Sequence, residues 1–378
     1  MILSEDHRVI RDTARQFARE RLAPGAAARD RECRFPKEEL KSLGAMGFLG
    51  MAVPTEWGGA GTDILAIALV LEEIAYTDAS CATIMSGHNS VGCLPILKYG
   101  SEEQKRRFLV PMAKGEMLSA FALTEPQGGS DNTGMTTRAR KEGAHYILSG
   151  TKQFITSGST AQVAIVFAVT DPDAGKRGIT AFLVPTDSKG WIVSRQESKL
   201  GLKASDTCQI VLDDIKIHES LRLGQEGEGL RIALGNLESG RICVAALSVG
   251  IAQAAFDVAL AYSRERVAFG KPILKHQAVA FRLASMATRI EGARQLVHHA
   301  AALSDAKLPC LKEACMAKLT ASEIEEHVSP DAIQVLGGYG YLTDFPVERF
   351  YRDARVTRIY EGTNDIQHLV IARELERG

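Results

Sequence analysis

One stretch near the end of the chain constrains the fold more than any other. Its apolar residues alternate spacings of four and three, at Val279, Leu283, Met286, Ile290, Ala293, Val297 and Ala300. A helix with this pattern has one narrow apolar face, which it buries along another helix. The pattern therefore predicts a helix bundle, and it says nothing about chemistry, because such a face is core.

The segments around this stretch supply partners for such a bundle. Further helices are predicted at Glu238–Phe269, at Lys312–Leu336, and from Thr363 or Asn364 onward. Gly270 and Pro272 break the chain before the periodic stretch. Pro330 is expected to kink the third helix, because proline removes a backbone donor. Residues 226–378 are therefore predicted to form a C-terminal four-helix bundle.

The rest of the chain divides into a helical part and a part made of strands. In residues 1–118 a Ser4 cap followed by Glu5 and Asp6 opens a helix, which Pro24 and Gly25 are expected to end. Short β-type runs then follow, at His145–Leu148, Gln162–Val169, Ile179–Val184, Trp191–Arg195 and Cys208–Leu212. Because no helices separate them, they predict a central β-sandwich or barrel-like domain over residues 119–225.

Several broad classes of protein are disfavoured by composition and element order. The order α, β, α lacks the βαβ units of a Rossmann domain, and the glycine-rich run at 337–341 lacks the preceding strand of a dinucleotide motif. The 45 Lys and Arg balance 46 Asp and Glu, which leaves no broad basic field for nucleic acid or an anionic membrane. No apolar run reaches the roughly 20 residues that span a bilayer, so no membrane association is expected.

The cysteines point to a reducing compartment and to no metal site. There are seven, an odd number, and no pair has CxxC spacing. A disulfide framework is therefore not expected, and no zinc site is predicted.

Four short stretches are richer in glycine, hydroxyl, charged and aromatic residues than packing alone requires. They are FALTEPQGGSD at 121–131, GTKQFITSG at 150–158, RERVAFGKPILKHQ at 264–277 and RIYEGTNDIQ at 358–367. The first offers amides and hydroxyls to a polar heterocycle or diphosphate, and the second puts Phe154 beside Thr156, where a flat ligand can pack. In the third, Arg266 can hold a phosphate. In the fourth, Glu361 lies on a glycine-flexed loop before a helix and can be positioned as a base.

Each of these stretches, taken alone, has an ordinary structural explanation as well. A connecting turn accounts for the first and a strand end for the second. A solvated corner accounts for the third, and a solvated carboxylate for the fourth. It is their combination that favours a functional site.

Together and in this order, the motifs ALTEP…GSD, GTK…IT, R…FG…HQ, QVLGG and IYEGT resemble those of the acyl-CoA dehydrogenase family over essentially the full chain. The motif details are nearer to short-chain or short branched-chain members than to long-chain ones. The resemblance implies the α+β fold of that family, bound FAD, and a homotetramer built as a dimer of dimers. It also implies an acyl-CoA substrate and electron-transfer flavoprotein as acceptor. Because no transit peptide is recognised, a bacterial cytoplasmic location is expected, or the mitochondrial matrix for a processed chain.

The resemblance also assigns roles to individual residues. The flavin ring is expected to lie against Phe121, Leu123, Thr124, Gly129, Ser130, Phe154, Ile155 and Thr156, although most members have tryptophan in place of Phe154. The FAD of the neighbouring subunit is expected at Arg266, Phe269, His276, Gln277, Gln334, Gly337 and Gly338. Thr363 and Asn364 would lie near the diphosphate. Contacts to the substrate are expected from Ser130, Glu238, Arg241 and Gly362.

Glu361 is the catalytic base that the resemblance implies. It would take the α-proton of the acyl thioester while the β-hydrogen leaves as hydride to the flavin, which requires burial to raise the pKa of its carboxylate. Some members carry the base at the position of Gly240, which cannot serve here. Glu238 is a minor alternative, because its offset along the helix points it to another face.

The acyl group is expected to be short and uncharged. In the family the acyl tail is bounded partly by the helix around Ser90–Leu97, and here that segment has no arginine to pair with a dicarboxylic acyl group. Butyryl, isobutyryl and 2-methylbutyryl thioesters are not separated by the sequence. The alternative functions are a same-fold flavoprotein with another reaction, nitroalkane oxidase-like or thioester desulfinase-like, or a non-catalytic CoA-ester-binding helical protein.

Overall fold

The computed structural model describes residues 2–377 and begins with a helical region. Its helices are α1 (Glu5–Phe17), α2 (Ala23–Glu32), α3 (Lys37–Ala45), α4 (Ile64–Thr77), α5 (Ala79–Gly87), α6 (Leu94–Tyr99), α7 (Glu102–Gln104) and α8 (Val110–Ala113). Helix α4 is buried on nearly all sides, and α5 continues into α6 through a π-helical segment, His88–Cys93.

The first helix starts as predicted but does not end at Pro24 and Gly25. Ser4 accepts a hydrogen bond from the backbone N–H of His7, as a cap should. The helical backbone then passes through a π-helical turn, Ala18–Leu22, into α2, which ends at Cys33 in a left-handed conformation. Pro24 falls in the first turn of α2, where a missing N–H costs little, so the predicted end is wrong.

The middle of the chain forms one eight-stranded sheet. Its strands are β1 (Ser119–Ala122), β2 (Arg138–Glu142), β3 (His145–Thr156), β4 (Val163–Val169), β5 (Ile179–Pro185), β6 (Trp191–Gln196), β7 (Thr207–His218) and β8 (Arg222–Leu223). Their order is β6-β7-β3-β2-β4-β5-β8, with β1 paired to β4 in parallel. All five predicted strands lie within this sheet, and β4 is buried along its whole length, which explains its unbroken apolar run.

The last part of the chain returns to helix. It contains α9 (Gly229–Leu234), α10 (Leu237–Glu265), a small hairpin of β9 (Val267–Ala268) and β10 (Lys271–Pro272), α11 (Gln277–Asp305), α12 (Leu311–Leu336), α13 (Val347–Ala354) and α14 (Asn364–Arg377). The predicted apolar seam is buried on α11, and the helical backbone of α12 runs through Pro330. Helices α10, α11 and α12 pack on one another, and α14 packs on α12.

Helix α10 lies at the centre of the molecule. It packs against α4 of the N-terminal region as well as against α11 and α12, so that one continuous core joins the two helical regions. Among residues 2–377, the stretch Gly229–Glu265 is the one helical segment long and apolar enough to cross a membrane, but its most apolar window is 78% buried inside the protein. Its composition is that of a core helix.

Candidate active site

A cavity of about 240 Å³ opens where the two helical regions meet the sheet. Its walls come from α5 and the π-helical segment, from β1, from the end of β3, from α10 and from the turn at residues 360–362. Ten of the predicted site residues line it: Phe121, Leu123, Thr124, Gly129, Ser130, Phe154, Ile155, Thr156, Glu361 and Gly362. The first, second and fourth motif stretches therefore converge in space.

A buried ion pair supports the loop that follows β1. The carboxylate of Glu125 accepts hydrogen bonds from Lys152 Nζ at 2.8 Å and from the backbone N–H groups of Thr136 and Thr137. Lys152 Nζ also donates to the Leu123 carbonyl at 3.2 Å. Burial opposes ionisation of Glu125, but Lys152 outweighs it and lowers the pKa of that carboxyl to about 2. The pair ties the loop to β3 and so fixes one wall of the cavity.

Phe154 lies at an irregularity in strand pairing at the end of β3. The pairing of β3 with β7 shifts between Lys152 and Ile155, and Phe154 adopts a left-handed backbone conformation with φ 58°. Its ring is 63% exposed at the cavity wall. An aromatic residue held in a strained conformation with its face open is rare in ordinary strands and frequent at ligand sites.

These features fit a flat heterocycle such as the isoalloxazine of FAD. The Phe154 ring offers a stacking face, Thr124, Ser130 and Thr156 offer hydroxyls beside it, and a Cβ at Gly129 would meet only Thr124 Cγ2, at 3.8 Å. The loop therefore leaves open space where a planar ligand can approach the backbone closely.

Glu361 lines the same cavity, in a backbone conformation set by its turn. Its φ is 54°, and its Oε2 atom is buried without a hydrogen-bond partner. Burial raises the pKa of the carboxyl, and Arg241 and Lys318 oppose that increase. An unsatisfied buried carboxylate oxygen facing a cavity is unusual and is available to accept a proton.

Helix α10 leaves room for this carboxylate at Gly240. A Cβ at Gly240 would lie 2.9 Å from Glu361 Oε2 and 3.2 Å from its Cδ. Position 240 and the Glu361 carboxylate are therefore neighbours in space, and the glycine makes room for the glutamate.

The turn that carries Glu361 is held by residues that the sequence did not single out. Gln367 Nε2 donates to the carbonyls of Glu361 and Gly362, at 3.2 and 2.9 Å. Lys318 Nζ, from α12, also donates to the Gly362 carbonyl. The partners of both side chains lie on other elements, so no local sequence pattern identifies them.

His88 closes another part of the cavity wall in its neutral form. The backbone N–H of Ser119 donates to Nδ1 at 3.3 Å, which leaves Nε2–H to donate to the Met112 carbonyl at 3.0 Å. Burial lowers the pKa of this histidine to about 4. Sequence reasoning did not identify it, since its partners are brought together only by the fold.

The third motif stretch lies apart from this cavity. Arg266, Gly337 and Gly338 line a second cavity of about 390 Å³, in which Arg266 lies 5.9 Å from the centre of the Tyr339 ring. The Phe269 side chain is 95% exposed, and His276 Nε2 donates to the Ala268 carbonyl.

The two remaining residues predicted to contact this FAD, Gln277 and Gln334, do not line the second cavity. Gln277 begins α11, and Gln334 is exposed near the end of α12. One protomer therefore does not join these residues to Phe154, and their role towards a neighbouring subunit's FAD stays a prediction.

The other predicted ligand contacts surround the base. Arg241 is buried, with Nε lacking a partner, while Glu238 accepts a weak hydrogen bond from the thiol of Cys310 at 3.8 Å. Thr363 Oγ1 accepts from the N–H of Ile366 at 3.4 Å at the start of α14. Asn364 is buried and bonded to α12. Of these side chains none lines the 240 Å³ cavity within residues 2–377, and their contacts to substrate or diphosphate stay predictions.

Comparisons with known proteins agree with this geometry. Models of the acyl-CoA dehydrogenase N-terminal, middle and C-terminal domains match residues 4–116, 120–215 and 227–376. The short-chain specific acyl-CoA dehydrogenase, mitochondrial, of Homo sapiens is 47% identical over 375 residues, which cover 99% of this chain and 91% of that protein.

Two solved structures are similar over all of both chains. Butyryl-CoA dehydrogenase from Megasphaera elsdenii is 40% identical with a TM-score of 0.98. A chain in a structure of the electron-transferring flavoprotein of Acidaminococcus fermentans is 42% identical with a TM-score of 0.99. The three domain matches and the full-length identity show that the chain belongs to the acyl-CoA dehydrogenase family of FAD-dependent oxidoreductases.

Proposed function

We propose that the protein dehydrogenates a short-chain or short branched-chain acyl-CoA to the trans-2-enoyl-CoA, with Glu361 as the base. The observation that carries the proposal is the Glu361 carboxylate: its Oε2 atom is buried and unpartnered, and Glu361 lines the same cavity as Phe154. A base so placed can reach a C–H bond held between it and a stacked ring.

Burial prepares Glu361 for proton transfer from carbon. It raises the pKa of the carboxyl, which makes the carboxylate a stronger base than one in water. Arg241 and Lys318 oppose that increase in pKa, because their positive charges favour the carboxylate form. Among residues 2–377, the backbone N–H of Glu361 has no hydrogen-bond partner and is free to donate to the thioester oxygen, which stabilises the developing negative charge.

FAD is proposed to lie between the loop after β1 and the end of β3. Phe154 would stack on the ring, and Thr124, Ser130 and Thr156 would bond its polar edge. When bound, FAD supplies the acceptor for the β-hydrogen and its electron pair, so that loss of both hydrogens leaves the trans-2 double bond. The chain itself positions both reactants and excludes water from Glu361.

An uncharged acyl group fits this cavity best. Its apolar wall is formed by Ile84, Val91, Leu237 and Val244. Within residues 2–377 no lysine or arginine lines it, and the low pKa of His88 keeps that side chain neutral. A dicarboxylic acyl group would leave a second carboxylate without a partner, which is costly in a buried site. The names of two relatives, short-chain specific and butyryl-CoA dehydrogenase, support the same substrate class.

The electron acceptor and the assembly belong to the same proposal. A similar chain occurs in a structure of an electron-transferring flavoprotein, which supports such a protein as the acceptor here. The separation of the Arg266 cavity from the Phe154 cavity supports a dimer in which each FAD spans two subunits. A tetramer of two such dimers rests on the family resemblance alone.

The test is an anaerobic titration of the FAD-loaded protein with butyryl-, isobutyryl-, 2-methylbutyryl-, octanoyl- and glutaryl-CoA, followed by flavin absorbance. Bleaching is expected with a short uncharged thioester, and little or none with octanoyl- or glutaryl-CoA. Rapid bleaching by glutaryl-CoA would contradict the substrate class. A yellow protein that no short acyl-CoA bleaches would contradict dehydrogenation and favour the nitroalkane oxidase-like or desulfinase-like alternatives.

A further inference from the structure

A buried lysine lies behind the turn that carries Glu361. Lys318, on α12, has no exposed surface, and its Nζ donates to the Gly362 carbonyl at 2.8 Å and to Asn364 Oδ1 at 2.9 Å. It is not a wall of the 240 Å³ cavity. Its side chain therefore contacts the turn without lining the cavity.

Lys318 belongs to a polar stripe on an otherwise apolar helix face. Ser322 and Glu325, one and two turns further along α12, are also fully buried. Ser322 Oγ donates to Asn364 Oδ1 at 3.1 Å, and Glu325 Oε2 accepts from Thr357 Oγ1 at 2.7 Å. The stripe therefore forms hydrogen bonds with the chain on both sides of Glu361, and Lys318 is the member that bonds Gly362, the residue next to the base.

The conformation of Glu361 needs support of this kind. A non-glycine residue at φ 54° is strained and persists only where its surroundings over-determine it. The Gly362 carbonyl accepts from both Lys318 Nζ and Gln367 Nε2, which uses its two lone pairs and fixes the direction of that peptide. Without Lys318, Gln367 alone would hold this peptide, and the turn that carries the carboxylate would be less firmly fixed.

Charge is the second contribution of Lys318. Burial lowers the pKa of its ammonium to about 8, with Glu361 opposing, so the group is cationic near neutral pH. It acts with Arg241 against the burial that raises the pKa of Glu361. The other ionisable groups facing this pair are Cys243 of α10, Cys315 of α12, and Arg358 and Tyr360 of the segment before the turn.

We infer that Lys318 is a positioning residue for the base: its ammonium group fixes the turn of Glu361 and Gly362 and places a buried positive charge beside the Glu361 carboxylate. This inference rests on the proposed role of Glu361. A buried ammonium is costly, and an apolar side chain would serve packing at this site better, so its function lies in the turn that it holds.

The test compares Lys318→Met with wild type in steady-state and single-turnover kinetics over pH, using the FAD-loaded protein and butyryl-CoA. We expect kcat to fall by about 10- to 100-fold, because a base displaced by up to 1 Å loses about that much rate. KM should change little, since Lys318 does not line the cavity. In the pH profile of kcat/KM, the acidic limb, where activity falls as the base is protonated, should move up by about one pH unit. The reason is that a positive charge that stabilises the Glu361 carboxylate is lost.

Two further variants separate positioning from stability. Glu325→Gln alters an equally buried group on the same helix, whose pKa burial raises well above its ordinary value, and it keeps an oxygen that can accept from Thr357 Oγ1. It should leave the acidic limb of the pH profile unmoved even if the protein melts earlier. Lys318→Gln retains a donor to the Gly362 carbonyl without the charge. It should move the limb as Met does, with a smaller loss in kcat, and it replaces the Met variant if that one does not fold.

An unmoved acidic limb, together with a loss confined to thermal stability or to KM, would overturn the inference. Glu361→Gln, measured in parallel, keeps the two proposals distinguishable. If wild type bleaches and Glu361→Gln does not, the base assignment stands whatever Lys318 does.

Discussion

Replacing Gly240 by alanine should separate activity from stability. The new Cβ would lie 2.9 Å from Glu361 Oε2, closer than carbon and oxygen can rest, so the carboxylate must move by roughly 0.5 Å or more to an ordinary contact. The group that moves is the free end of a flexible side chain, which costs little. Alanine is also favoured over glycine inside a helix by up to about 1 kcal/mol.

Folding stability should therefore be unchanged or slightly raised, while catalysis suffers. A base displaced by a fraction of an ångström to about 1 Å should slow flavin reduction between about 10- and 100-fold. The assay is anaerobic stopped-flow absorbance with butyryl-CoA, alongside denaturant unfolding of the same sample.

Gly292→Ala is the matched control for this variant. Gly292 is also a helical glycine, on α11, and a Cβ there meets nothing within 4 Å. It should show the same gain in helix propensity with no loss of rate. If Gly240→Ala reduced the flavin as fast as wild type, the contact between Gly240 and the base would be irrelevant to catalysis, and the reasoning would fail.

Three further outcomes follow from the site. Phe154→Ala should weaken FAD retention by up to about tenfold, measured as flavin per protein after dialysis, while Phe154→Trp should retain it, because an aromatic contact contributes about 0.5–1.5 kcal/mol. Lys152→Met should lower the free energy of unfolding, measured with denaturant, by about 3–5 kcal/mol, because Glu125 is left buried and unpaired. Adding Glu125→Gln to this variant should restore much of the lost stability. No recovery would mean that the unpaired charge is not the cause. The pKa of His88 is lowered from 6.5 to about 4 in the folded state, so its contribution to stability is complete above pH 6.5 and is lost as pH falls through 4. The free energy of unfolding should fall by about 3 kcal/mol over this range, and this loss should be absent in His88→Asn. The same acid dependence in His88→Asn would refute the role of His88.

Elements whose pattern is local were predictable from the sequence. The buried seam of α11 and the unbroken run of β4 are periodic or continuous, and both predictions are confirmed. The end assigned to the first helix at Pro24 was wrong, because the same residue that ends a helix is also tolerated in the first turn of the next one.

The residues of the site also fall into those that the sequence predicts and those that only the fold reveals. Glu361 and Phe154 lie in motifs that can be read along the chain, and the fold brings them to one cavity. Lys318, Gln367 and His88 act through partners on other elements, so their roles depend on packing that no local pattern contains. The opposition of Gly240 and Glu361, which are 121 positions apart, is likewise a property of the fold.

The most direct test of the account is anaerobic flavin reduction in Glu361→Gln. The FAD-loaded variant is mixed with butyryl-CoA, and binding is followed by the shift of the flavin spectrum and reduction by its bleaching. The account predicts that wild type bleaches and that the variant binds without bleaching, since an amide cannot take the α-proton. Bleaching of the variant at the wild-type rate would show that another group is the base and would contradict the central claim.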